Sequence, residues 1–282
     1  MVQPAFDIGN SQAEDFPADS RLLIEISGQS LNYILYNEAP RRLLLLRQYR
    51  MYTTSERSAS DLLDEIVSGD PILQRFSASA TVVYNFPVSN LLPDELYDPS
   101  LDEAVSRLIY GDRENDLVFN EPVKDMDMRN VYCAPRQIHQ LCKSRFKGGR
   151  FWHFYTILLC WSQQDAVRKG NFIRVVFYND KFIAAFFRES QLQLIQTFFY
   201  QTPEDAAYYL LLICRQFGVP PTEMVLCLSG LIDSQSALYT ELLKYFSEVQ
   251  CESLPDDYDT DGLLAEYPSH YFSPLLKMSL CV

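Results

Sequence analysis

The stretch NFIRVVFYNDKFIAAFFRESQLQLIQTFFYQTPEDAAYYLLLICRQFG, Asn171–Gly218, decides how the chain is read. Phe172–Tyr178 and Phe182–Phe187 are apolar runs of strand length. Asn179-Asp180 between them reads as a two-residue hairpin turn, since both side chains tolerate positive φ. A third strand follows in Gln191–Tyr200, where Leu192, Leu194, Gln196 and Phe198 alternate with Gln193, Ile195, Thr197 and Phe199. The pattern then turns helical. Thr202 is placed to cap the helix, Pro203 suits its first position, Asp205 stands where a capping box needs an acid, and Gly218 ends it. MVLCLSG, Met224–Gly230, reads as a buried strand.

The same order occurs once before, from RLLIEISGQSLNYILYNEAPRRLLLLRQYRM, Arg21–Met51. Leu22, Ile24 and Ile26 face one way, Leu23 and Glu25 the other. SGQS turns the chain into a second strand, Leu31–Tyr36, and NEAP turns it into a third, whose four consecutive leucines indicate burial on both faces. A helix follows, with Ser58 or Ser60 as cap, Asp61, Asp64 and Glu65 near its positive end, and Gly69 at its stop. ATVVYNFP, Ala80–Pro87, supplies the buried strand after it. Both halves therefore read strand, strand, strand, helix, strand. The offset is nearly constant, 150 positions from Leu22 to Phe172 and 143 from Val82 to Val225, and repetition at that scale outweighs any single element. The alternative is two unrelated meander-plus-helix units.

The implied organisation is a flexible, polar N-terminal arm over 1–20, a first domain over 21–168, a second over 169–252, and over 253–282 an acidic loop with a tail that docks back on the body. Inside the first domain, Ser100–Tyr110 and RQIHQLCKSRF read as helices, DLVFNEP and MRNVYCAP as strands, and HFYTILLCWSQQ as a buried helix. DAVRKGN, 165–171, reads as an interdomain hinge.

A chain of 282 residues, 48% hydrophobic, can bury about three quarters of its unfolded surface, enough for one large domain or two modest ones. Its formal charge of −13 repels nucleic acid and anionic membrane surfaces. No run approaches the roughly 20 apolar residues of a membrane span, and the first twenty residues lack the basic and apolar regions of a signal peptide. Seven cysteines with no C-x-x-C pair, most of them in apolar runs, point to reduced thiols in a cytoplasmic protein rather than to disulfides or zinc.

A duplicated meander, helix and strand resembles the superfamily of actin, sugar kinases and heat-shock chaperones. YNEAPRR (36–42), FNEPV (119–123) and PSHYFSPLLKMSLC (268–281) further resemble a bacterial family with an actin-like fold and no assigned activity. The resemblance implies an α/β chain of two ribonuclease-H-like domains, as in the actin-like ATPase superfamily, facing each other across a nucleotide cleft. Each domain is a mixed sheet with three antiparallel strands followed by helix and strand. In the ATP-using members, the turn after the first strand of each half is an Asp-x-Gly phosphate loop. Its backbone N–H groups close on phosphate oxygens, which needs glycine, and its carboxylate holds hydrated Mg²⁺.

This chain departs from that pattern. Its first turn is Glu25-Ile26-Ser27-Gly28, with Glu for Asp and the glycine one position late. The second is Tyr178-Asn179-Asp180-Lys181, with no glycine and with Phe177 and Tyr178 where a phosphate would approach. The turn near the base, small-Gly-Gly in the superfamily, is Leu228-Ser229-Gly230-Leu231. If nucleotide binds at all, the cofactor-binding candidates are Glu25, Ser27, Gly28, Asn179, Asp180, Ser229 and Gly230; no catalytic residue and no metal ligand is assigned. The favoured expectation is a non-catalytic pseudo-ATPase without cofactor, acting in the cytoplasm by binding another protein, with no nucleic-acid partner and no membrane insertion. The alternative is an atypical Mg-ATP or phosphometabolite binder with Glu25 on the metal, Ser27 and Gly28 on phosphate, and Ser229-Gly230 at the base. A third reading is an enzyme of unrelated chemistry.

Other motifs read as structure. KSRFKGGR, Lys143–Arg150, is the basic end of a helix at its negative pole rather than a phosphate site. His139, His153 and His270 have no metal-ligand spacing. Asp256, Asp257, Asp259 and Asp261 form a solvated loop rather than a Ca²⁺ site, because the acid that would close an EF-hand is missing. The aromatic runs FIAAFF, TFFY and AAYYLLL suit a core; any that is exposed suits a protein partner.

Overall fold

A computed structural model of the protein describes residues 2–9, 16–164 and 170–282. The chain forms two compact units. The first takes in the chain up to Ser162 together with Asp257–Leu263 and Met278–Val282; the second takes in Gln163–Asp256 and Leu264–Lys277.

In chain order the first unit holds β1 (Pro4–Gly9), β2 (Arg21–Ile26), β3 (Ser30–Glu38), β4 (Arg41–Arg50), α1 (Ala59–Gly69), α2 (Pro71–Arg75), β5 (Ala80–Tyr84), β6 (Ser89–Pro93), α3 (Asp102–Tyr110), β7 (Asp116–Val123), β8 (Met128–Pro135), α4 (Arg136–Arg145), β9 (Arg150–His153) and α5 (Phe154–Gln164). Its main sheet runs β1-β4-β3-β2-β5-β9, and β6-β8-β7 form a smaller one. The meander β2-β3-β4 is antiparallel, while β5 and β9 add in parallel. One face of β2, with Leu22, Ile24 and Ile26, is buried in the same core as Leu62, Leu63, Ile66 and Val67 of α1, each side chain contributing about 1.5–3 kcal/mol by leaving water. Ser58 and Asp61 cap α1 reciprocally, the hydroxyl accepting from the Asp61 N–H and the carboxylate from the Ser58 N–H.

The second unit holds β10 (Asn171–Phe177), β11 (Lys181–Arg188), β12 (Gln191–Phe199), α6 (Pro203–Phe217), β13 (Val225–Gly230), α7 (Ala237–Leu243), β14 (Glu248–Cys251) and α8 (Ser269–Met278). Its sheet runs β12-β11-β10-β13-β14, again an antiparallel meander with two parallel additions. α6 starts with the Thr202–Asp205 capping box and ends at Gly218, whose φ of +65° suits glycine. The duplication extends to a defect. Leu44 is the extra residue where Leu35 pairs with Leu45 and Tyr36 with Leu43, and Gln193 is the extra residue where Phe186 pairs with Leu194 and Phe187 with Leu192.

Two expectations are corrected. Residues 1–20 are not a loose arm throughout: β1 lies antiparallel on β4, with Phe6 opposite Gln48 and Ile8 opposite Leu46. Pro4, Phe6 and Ile8 are its more buried positions, and the Asp7 carboxylate accepts from Arg47 Nε at 2.7 Å. The Asn179-Asp180 turn does not use positive φ. Among the described residues other than glycine, φ is positive at Asp125, Glu189, Ser190 and Asp261, so the paired left-handed turn lies at Glu189-Ser190, between β11 and β12. β1, β6, β9 and β14 were not expected from the sequence. Residues 165–169 of the expected hinge lie outside the described residues. No helix among the described residues is long and apolar enough to cross a membrane.

Candidate functional site

In the first unit the turn from β2 to β3 brings Glu25, Ser27 and Gly28 together, and it is closed by its own side chains. The Ser27 N–H donates to the Ser30 carbonyl at 2.9 Å. The Ser27 hydroxyl accepts from the Gln29 N–H at 3.2 Å and the Ser30 N–H at 3.0 Å, and lies 2.9 Å from the Ser30 hydroxyl. Glu25 is 2% exposed. Its two oxygens accept one amide each, from Asn32 Nδ2 at 2.8 Å and Asn85 Nδ2 at 2.7 Å. Sequence reasoning missed both asparagines. Asn32 was within reach, since a hairpin turning at SGQS sets it opposite Glu25; Asn85 follows β5 and arrives only through the parallel pairing of β5 with β2. Gly28 lies in the open, with no atom within 4 Å of where a Cβ would stand.

In the second unit the four other candidates share one end of the sheet, because Gly230 of β13 pairs with Phe177 of β10 just before the Asn179-Asp180 turn. Phe177, expected to face a phosphate, is fully buried in the core, its ring against Phe182 and Tyr200. Tyr178 stays at the turn. Its carbonyl accepts from the Tyr200 hydroxyl at 2.9 Å, and the Lys181 ammonium sits 5.4 Å from its ring centre. Burial pushes the Tyr200 phenol up to about 12, with the Asp180 carboxylate adding to the shift. Ser229 is fully buried, its hydroxyl 3.5 Å from the Val175 carbonyl. Gly230 has φ +80°, and a Cβ there would stand 2.2 Å from the Phe177 carbonyl oxygen. That glycine is required by the strand beside it.

The other polar groups singled out by the sequence resolve into structure. Arg145, at the basic end of α4, binds Asp64 of α1 at 2.6 Å. In the acidic loop, Asp259 and Asp261 pair with Arg42, and Asp257 lies 3.9 Å from Arg41. His139 accepts or donates to the Tyr84 hydroxyl at 2.9 Å, and burial lowers its pKa. His270 donates from Nε2 to the Ile232 carbonyl. His153, fully buried, bonds through Nε2 to the Phe86 carbonyl at 2.9 Å, so that nitrogen carries the proton and Nδ1 accepts from the Tyr155 N–H at 3.2 Å. Its own N–H is held at 2.9 Å by Glu121 of the FNEPV segment. Burial raises the Glu121 carboxyl to about 7, against hydrogen bonds from Thr156, the His153 N–H and Tyr132 that favour the charged form. Among the described residues, no three His, Cys, Asp or Glu side chains are grouped as metal ligands.

A protein from Bacteroides thetaiotaomicron VPI-5482 with an actin-like ATPase fold and unknown function superposes with a TM-score of 0.73 at 18% identity, over 83% of this chain and 91% of that one. A chain of the PilM–PilN type IV pilus biogenesis complex superposes with a TM-score of 0.62 at 11% identity, over 94% and 98%. At these identities the likeness establishes the fold, which is the actin-like ATPase fold. No curated protein matches the chain. Residues 12–249 match the family described as Protein of unknown function (DUF3822), and the chain belongs to that family.

Proposed function

We propose that the chain is a non-catalytic member of the actin-like fold that acts in the cytoplasm by binding another protein, its phosphate turns no longer suited to nucleotide. One observation carries the reading. The Gln29 and Ser30 N–H groups, which an anion would need, are already taken by the Ser27 hydroxyl. The rest of the site agrees with it. The Glu25 oxygens are clamped by two amides in a buried position, so hydrated Mg²⁺ meets no water-facing carboxylate. At the second turn, the Tyr178 ring and Lys181 occupy each other. The fold itself is compatible with a protein partner, since a chain of the same fold is found in the PilM–PilN complex. Calorimetric titration with Mg-ATP to millimolar concentration is expected to give no saturable heat. A micromolar Kd overturns the reading.

A second reading, an atypical ATP or phosphometabolite binder, is favoured by the unobstructed space over Gly28. If it holds, Mg-ATP at 100 times its Kd stabilises the fold by about 2.7 kcal/mol. Gly28→Val, which the open position accommodates, then abolishes the rise in Tm. An equal rise in wild type and variant dismisses a phosphate at this turn.

A further inference from the structure

The two halves treat the same edge differently. In the first unit the outer edge of β4 is covered along its length by the chain itself. β1 lies on Leu45–Tyr49, and beyond the bulge the Leu43 N–H donates to the Asp259 carbonyl at 2.8 Å while the Asp259 N–H donates to the Arg41 carbonyl at 3.0 Å. The charges match: β4 is basic at Arg41, Arg42 and Arg47, and the covering segments bring Asp257, Asp259, Asp261 and Asp7. In the second unit the corresponding strand is β12, and among the described residues no strand lies on its far side. Nine residues, QLQLIQTFF, end a sheet with no charge and no proline among them. Of the usual protections of a free edge, charge and proline are missing from this strand and a single bulge at Gln193 is present.

The ground beside that edge is uncharged and mixes apolar with polar groups. β12 and α6 line an open groove of about 370 Å³, where Leu194, Phe198 and Phe199 from the strand and Tyr209, Leu212 and Ile213 from the helix are interspersed with Gln196, Thr197 and Gln216. The helix residues follow the i, i+3, i+4 spacing of one face. Phe199 is 55% exposed and Tyr208, next to the stripe, 61%.

We infer that a second copy of this chain occupies this edge, β12 pairing antiparallel with β12 of its partner across a two-fold axis. On β4 the covering segments complement the strand in charge. An uncharged strand calls for an uncharged one, and β12 itself fits: it has the alternation, the length and the neutrality. The pairing satisfies both rows of edge N–H and carbonyl groups at once and joins two five-stranded sheets into one. The two α6 helices then approach on the same face and cover Tyr208 and Leu212.

Sedimentation equilibrium of the full chain at 1–100 µM is expected to show a dimer of twice the chain mass, with affinity not weakened between 50 and 500 mM salt, because no ion pair is involved and salt screens the −13 charge of each chain. Gln196→Lys and Gln196→Glu, at an exposed position lining the groove, put like charges near each other across the axis. Each is expected to keep the wild-type circular dichroism and to raise the dimer Kd by at least about tenfold. Mixing the two variants is expected to restore a dimer, a rescue that a merely structural defect does not allow. A monomer at 100 µM overturns the inference and leaves the edge to a strand of another protein. A dimer indifferent to both substitutions overturns it and places the contact elsewhere. Neither outcome touches the reading on nucleotide, which is decided by the Mg-ATP titration.

Discussion

Gly230 and Gly28 show why a glycine at a turn does not declare its use. The resemblance to the actin-like superfamily draws attention to both, Gly28 one position late for a phosphate turn, yet a side chain at Gly230 would meet the neighbouring strand while one at Gly28 would meet open space. Gly230→Ala is expected to destabilise by more than about 2 kcal/mol, since it adds a left-handed φ to a contact with the Phe177 carbonyl. Gly28→Val is expected to lie within about 0.5 kcal/mol of wild type; urea denaturation of both reads the difference. Glu121 gives a second test. Its folded-state pKa, about 7, lies above the unfolded value near 4.5, so the folded state holds the proton more tightly. The contribution of Glu121 to stability is therefore greatest below about pH 4.5 and is lost as pH rises through 7, a change of about 3 kcal/mol. Glu121→Gln, which mimics the protonated acid, is expected to raise Tm at pH 8 and to leave it nearly unchanged at pH 5. An unchanged pH profile in the variant argues against a protonated Glu121. Of the candidate site, the residue types were legible and their engagements were not. Glu25 reads as a metal-binding acid until Asn85, sixty positions away, is found on its other oxygen.

At the scale of elements, legibility followed locality. α6 was readable because every signal for it lies within the helix and one residue beyond: Thr202, Pro203, Asp205 and Gly218. The meanders were readable because hairpin neighbours are close in sequence. β9 and β14, four residues each, exist because a parallel neighbour supplies their hydrogen bonds, and nothing inside RFWH or EVQC states that. β1 was hidden among acids and prolines, though Pro4, Phe6 and Ile8 do alternate. Its place on β4 carries a prediction: removing residues 1–9 uncovers β4 and deprives Arg47 of Asp7. Arg47 keeps Asp70, which also accepts from Tyr33 and Tyr49 and caps α2. The truncated chain is therefore expected to fold, with Tm lowered by several degrees, and to aggregate on standing as a newly bared strand does. Light scattering at equal concentration measures the second effect, and a truncated chain that stays clear contradicts it.

At the scale of the whole molecule, duplication is the organising fact. Two five-stranded cores share strand order, sense of pairing and even the position of a bulge, and this was recoverable from a roughly constant offset in the sequence. What differs between the halves is what each has gathered at its margins: a covering strand and three-stranded sheet in the first, a bare edge in the second. The likeness of fold rests on what is shared, whereas the proposed function rests on what is not. Gly230 shows what that means for descent. Because the strand alongside forbids a side chain there, selection for a foldable chain is enough to retain the glycine through any amount of drift in the loop that follows. A lineage with no ligand at this turn would keep the residue all the same, so Gly230 testifies to architecture and is silent on chemistry.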